Sequence, residues 1–228
     1  MSTVPLIPQS FWFRMALSCP RVDGIPRPSL KGRFLDLPES CRLPSLSQLD
    51  GKDSWADIRV AWNPNGLAVS VEVTGKKKAV SADPYRIQSE GVGVWVDTRD
   101  TRDIHRGSRF CHRFQATLVG AGKDVEFVQK TIARAIADAP TSVKGSIEAR
   151  SEIFKGGWRL EMFLWSTALH GFDPETNRRL GLLIQVTDQE RDDLYLGIGR
   201  EFPVGEDPSL WASLDLRESD GSAMQSLI

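Results

Sequence analysis

Cysteine is scarce in this chain: Cys19, Cys41 and Cys111 stand at wide, irregular spacing among 228 residues. That pattern excludes the disulfide framework of a small stapled domain, and three reduced thiols are expected. Charge of one sign is lacking too. Twenty-nine lysines and arginines against thirty acids leave a net charge of −1, so no overall field draws the chain to nucleic acid or to a membrane surface. No apolar run is long enough to cross a bilayer. The N-terminal stretch, broken by Pro5, Pro8 and Arg14, does not read as a signal peptide, which makes a cytoplasmic location the default expectation. Repeats, long amphipathic helices, a Gly-x-Ser-x-Gly elbow, a phosphate loop and a dinucleotide fingerprint are all missing. Nothing argues for catalysis, and a non-enzymatic role is expected.

What is present is alternation. Ile58, Val60 and Trp62 interleave with Arg59 and Ala61; Asn63-Pro64-Asn65-Gly66 turns the chain; Leu67, Val69, Val71 and Val73 interleave with Ala68, Ser70, Glu72 and Thr74. Period two with β-branched residues on one side is the signature of a hairpin with one buried face, and Asn-Gly supplies the positive φ of a tight turn. A second hairpin is expected where Ile147–Phe154 and Trp158–Trp165 flank Lys155-Gly156-Gly157. Gly91–Thr98, Arg109–Val119, Leu180–Thr187, Leu194–Ile198 and Leu210–Leu216 read as further strands, while Val125–Ala133 fits a strand or a short helix. Phe11, Phe13 and Met15 suggest a short early strand. Seven of the thirteen prolines precede residue 45, so residues 19–44 are expected to wrap the domain irregularly. The expectation is an all-β, antiparallel β-sandwich of one domain over residues 1–217, with jelly-roll or immunoglobulin-like topology, little helix and a frayed tail over 218–228.

Candidate chemistry is thin. Asp97, Asp100 and Asp103 recur every third residue, a set of hard oxygen ligands that could hold a structural Ca²⁺, although the EF-hand spacing and glycine are missing and Arg99 and Arg102 could pair with the same carboxylates. His105, Cys111 and His112 lack the second ligand pair that tetrahedral zinc needs, and neighbours on a strand point to opposite faces. Glu161, Asp188, Glu190 and Asp192 supply carboxylates, yet nothing in the sequence pairs any two of them as a glycosidase requires. Lys76-Lys77-Lys78 reads as a solvated turn past a strand end. Seven tryptophans remain; Trp62, Trp158 and Trp165 fall in hairpin arms as core or rim, and Trp55, Trp95 and Trp211 are unassigned.

Five blocks in order resemble carbohydrate-binding module family 9, within the wider group of DOMON-like β-sandwiches. They are 58–73, 89–97 (Ser-Glu-Gly-Val-Gly-Val-Trp-Val-Asp), 156–165 (Gly-Gly-Trp-Arg-Leu-Glu-Met-Phe-Leu-Trp), 180–188 (Leu-Gly-Leu-Leu-Ile-Gln-Val-Thr-Asp) and 207–214 (Asp-Pro-Ser-Leu-Trp-Ala-Ser-Leu), within residues 50–217. The resemblance implies a non-catalytic module that holds a sugar chain end between aromatic rings, with structural calcium nearby. Carried over by position, the site is Tyr85 as one aromatic wall, Arg113 and Gln185 as polar contacts, and Phe202 as the sole ring near the place of a second wall. Gly93 stands where the resemblance leads one to expect a carboxylate. A carbohydrate is the expected partner. The alternatives are a protein-interaction domain that has lost sugar binding and, on the DOMON-like resemblance, a haem domain with His112 and Met162 as axial pair.

Overall fold

The alternating segments are strands in the computed structural model, which describes residues 16–27, 33–45, 51, 54–80, 89–119 and 124–218. They run β1 (Ala16–Pro20), β2 (Ala56–Asn63), β3 (Gly66–Val73), β4 (Gly91–Asp97), β5 (Cys111–Val119), β6 (Asp124–Lys130), β7 (Ile147–Phe154), β8 (Gly157–Trp165), β9 (Arg179–Thr187), β10 (Leu194–Tyr195) and β11 (Ala212–Arg217). Among the described residues strand accounts for 45% and helix for 5%, the latter as short 3-10 turns. Two sheets form a sandwich. The larger has the order β1-β11-β9-β4-β5-β6, with β10 also pairing β9; the smaller has the order β2-β3-β8-β7. One pairing departs from the antiparallel rule: β1 runs parallel to β11, a pairing that needs a long connection, and here almost the whole chain supplies it. β1 was not foreseen, and Phe11, Phe13 and Met15 lie outside the described residues.

Both hairpins close with two-residue loops, Asn63 pairing Gly66 and Phe154 pairing Gly157. At Gly156, φ is +80°, the left-handed region that favours glycine. Gly66 is required for a different reason from the one its turn suggested. It is already paired within β3, and a Cβ there would land on the Leu164 carbonyl oxygen of β8.

Val92, Val94 and Val96 of β4, Phe114, Ala116 and Leu118 of β5, and Leu182, Ile184 and Val186 of β9 face Val69, Val71, Leu160 and Met162 across the sandwich. Each is removed from water, and burial of such side chains, at roughly 1.5–3 kcal/mol apiece, is the main stabilising term. The smaller sheet buries its outer face as well. Residues 33–43 lay Phe34, Leu35, Leu37 and Cys41 over Ala61, Ala68 and Phe163. Glu161 of β8 anchors that wrap, accepting the backbone N–H groups of Phe34, Leu35 and Asp36. Glu218 pairs with Arg21 and Arg178, and residues 219–228 lie outside the described residues.

Candidate functional site

Strand parity decides what the outer face of the larger sheet carries. Because the valines of β4 point inward, Gly93, Trp95 and Asp97 point outward, together with Arg113, Gln115 and Thr117 of β5, Gln185 and Thr187 of β9, and Glu126, Val128 and Lys130 of β6. Three cross-strand rows result. One reads Thr187, Gly91, Thr117, Glu126; the next Gln185, Gly93, Gln115, Val128; the third Leu183, Trp95, Arg113, Lys130. The third row is partly roofed by a small apolar cluster of Trp95, Leu183, Ile198, Val204 and Trp211, against which Tyr195 and Phe202 pack. The first two rows stay open and floor a groove of about 880 Å³ walled by residues 187–193 and Arg200.

Of the residues carried over by resemblance, the structure brings Arg113 and Gln185 together on this face, one row apart. Gln185 donates from Nε2 to Asp193 Oδ2 at 2.8 Å, which fixes the amide at the groove wall. Arg113 stacks on Trp95, its guanidinium carbon 4.9 Å from the ring centroid. Burial lowers its pKa, and nearby Tyr195 raises it in part. The Gly93 position is filled by its neighbour: a Cβ there would meet Trp95 Cζ3 at 2.7 Å, so the ring takes the space a side chain would need. Phe202 packs beside the Trp95 cluster as a half-buried ring. Tyr85 lies outside the described residues.

No family model matches the sequence, and no curated protein matches it either. Solved structures do match. A carbohydrate-binding module of family 9 from Caldicellulosiruptor kristjanssonii, in complex with cellotriose, aligns with a TM-score of 0.63 at 15% identity, over 94% of this chain and 100% of the other. A family 9 module from the same organism in complex with glucose aligns with a TM-score of 0.52 at 15% identity, over 73% of this chain and 78% of that one. The fold is that of the family 9 carbohydrate-binding modules.

Within this family 9-like fold, Lys76 corrects the sequence reading. Lys77 and Lys78 are exposed, but the Lys76 side chain is 1% accessible. Its ammonium lies 2.9 Å from Glu90 Oε1, 2.5 Å from Asp188 Oδ2 and 3.6 Å from Glu190 Oε1. Burial alone would lower the lysine pKa; the Asp188 and Glu90 carboxylates outweigh it and raise the value. The Glu190 carboxylate also accepts the Lys77 and Lys78 backbone N–H groups. This cluster ties the segment after β3 to the start of the groove wall. A lysine pattern alone could not reveal it, since Asp188 stands 112 residues away.

Two carboxylates of the aspartate loop hold protein partners. Asp97 is buried and accepts the Arg99 and Thr101 backbone N–H groups at 2.9 and 2.7 Å; its pKa is raised by burial, with those two hydrogen bonds opposing. Asp100 accepts from Arg102 and Ser213, and Asp103 is exposed. No group of three or more His, Cys, Asp or Glu among the described residues is placed to hold a metal ion. Cys111 and His112 do point to opposite faces, and both are buried. His112 and Met162 face the filled inter-sheet core, both with 0% exposure, and burial pushes the imidazole down to about 4. His105, Asp207 and Ser209 cluster within 3.1 Å, but Asp207 and Ser209 both approach His105 Nδ1. A nucleophile and an orienting carboxylate need opposite nitrogens, so the cluster is a turn cap. Glu161 sits on the other sheet, apart from Asp188, Glu190 and Asp192 at the groove.

Proposed function

We propose that this chain is a non-catalytic carbohydrate-binding module whose ligand lies in the groove on the outer face of the larger sheet. The observation that carries the reading is the lining of that groove. Ser89, Gln115, Thr117, Gln185 and Thr187 present hydroxyls and amides from rigid strands and their ends. Groups that both donate and accept suit sugar hydroxyls, which do the same. The volume of about 880 Å³ is ample for an oligosaccharide segment. The ligands of the two similar structures, cellotriose and glucose, support a sugar as the ligand class. In this reading Gln185 and Arg113 contact hydroxyl and ring oxygens, Tyr85 offers a ring to an apolar sugar face, and Phe202 backs the same end.

With one aromatic wall in place of two, the expected Kd is roughly 10⁻⁴ to 10⁻³ M, about −4 to −5.5 kcal/mol. Calorimetric titration of a broad oligosaccharide panel against the parent, Gln185→Ala and Tyr85→Ala tests it. Heat that saturates with the parent and falls several-fold with either variant supports the groove. A panel without binding favours the protein-interaction alternative.

A further inference from the structure

The cationic end of the groove carries an inference about which sugars it takes. Arg113 and Lys130 are directly opposite each other on β5 and β6, on the same outward face. Like charges at that position, with Cβ atoms about 5 Å apart, destabilise a sheet unless an anion lies between or above them. None does among the described residues: no carboxylate comes within ion-pair distance of either cation. Arg113 Nε is buried and has no hydrogen-bond partner, and Arg113 rests on the apolar Trp95 ring. A half-buried guanidinium with unused donors is costly in the absence of a ligand. Lys130 and Arg200 line the groove, and Arg113 lies next to Lys130 at its edge, in the partly roofed third row.

The carboxylates of the groove are engaged or remote. Asp188 and Glu190 are held by Lys76. Asp193 takes the Gln185 amide and, with Glu201, faces the Tyr195 hydroxyl rather than Arg113. Glu126 pairs with Thr117, four residues along β6 from Lys130 and so roughly 13 Å away. Asp192 is exposed on the wall. Glu126 and Lys130 thus mark opposite ends of the groove floor, and Arg191 of the wall is engaged by the Thr74 carbonyl.

The geometry points to a uronic-acid glycan as ligand, its carboxylate paired with Arg113 and flanked by Lys130, while the neighbouring sugar lies over Gln115 and Gln185. The planar guanidinium fork matches a carboxylate with two parallel hydrogen bonds, which a neutral hydroxymethyl cannot accept in the same way. The inference rests on the groove being the sugar site.

An oligogalacturonate trisaccharide and its fully methyl-esterified form share one chain and differ in charge and in one methyl group per carboxyl, and the salt arm separates the two effects. Titrating each into the full chain, followed by calorimetry and by intrinsic tryptophan fluorescence, should give about tenfold tighter binding of the acid. That ratio should fall towards one in Arg113→Gln and also in parent protein at high salt. The salt arm keeps the test decisive should Arg113→Gln fold poorly. Equal affinity for the two forms, or tighter binding of the ester, overturns the charge inference and leaves the sugar groove standing. If neither form binds but a neutral oligosaccharide does, the charge inference alone fails. If no glycan binds, both readings fall.

Discussion

Replacing Lys76 by methionine isolates the buried ion cluster behind the groove wall. Methionine keeps most of the volume and removes the charge, leaving Glu90 and Asp188, both with fully buried side chains, facing each other without the ammonium 2.9 and 2.5 Å away. Removing one partner of a buried pair costs about 3–5 kcal/mol, because the remaining charge is neither solvated nor paired. For a domain of this size each kcal/mol moves Tm by roughly 2–4 °C, so a drop of about 10 °C is expected at pH 7. Tryptophan-fluorescence melts and urea titrations measure it, with Lys78→Met at the exposed neighbour as control. The sign of the pH dependence is a second readout. In the parent, the raised lysine pKa means that its contribution is fully present below the ordinary lysine value of 10.5 and is lost only as pH climbs through the folded value. In Lys76→Met, one carboxylate escapes the penalty by taking a proton, so the gap to the parent should shrink from pH 8 to pH 5. A loss under about 1 kcal/mol, equal to that of Lys78→Met, would refute the reasoning and show the cluster to be solvated like a surface pair.

Further outcomes follow from single groups. Burial of His112 pushes its pKa from 6.5 to about 4, opposed by its contact with the His170 carbonyl. The unfolded chain therefore binds a proton that the folded one refuses, and stability should fall by about 3 kcal/mol as pH drops from about 6.5 to 4. His112→Phe should flatten that limb in pH-dependent melts, and an unchanged limb would assign it elsewhere. Glu190, held below the usual range chiefly by the Lys77 N–H, adds loss only beneath about 4.5 and is separable on that ground. Glu161→Gln should cost about 2–3 kcal/mol by weakening the carboxylate that holds three backbone donors, with residues 33–43 becoming protease-sensitive first. An unchanged cleavage pattern in that segment would remove Glu161 as its anchor.

The local code of this chain reached far into the fold. Alternation from Ile58 to Val73 and from Ile147 to Trp165 specified both hairpins, because side chains on a strand alternate regardless of what packs on them. The family resemblance grouped Arg113 and Gln185 as one site, and the register of β4 against β5 and β9 is what puts both on one face. Where parity was satisfied but the partner mattered, the tertiary structure decided. Three adjacent lysines look alike in sequence, yet Lys76 alone is buried, since Asp188 and Glu190 arrive on the segment after β9. Glu161 looked like a free carboxylate until residues 33–43 folded back over β8. Gly93 looked like a missing acid, and the Trp95 ring accounts for it. The opposition of Arg113 to Lys130 depends on the register of β5 against β6, which is set by the burial of Val125 with the core. In each case a long-range contact replaced water around a polar group, and the energy of that exchange depends on which partner arrives, which no local pattern encodes.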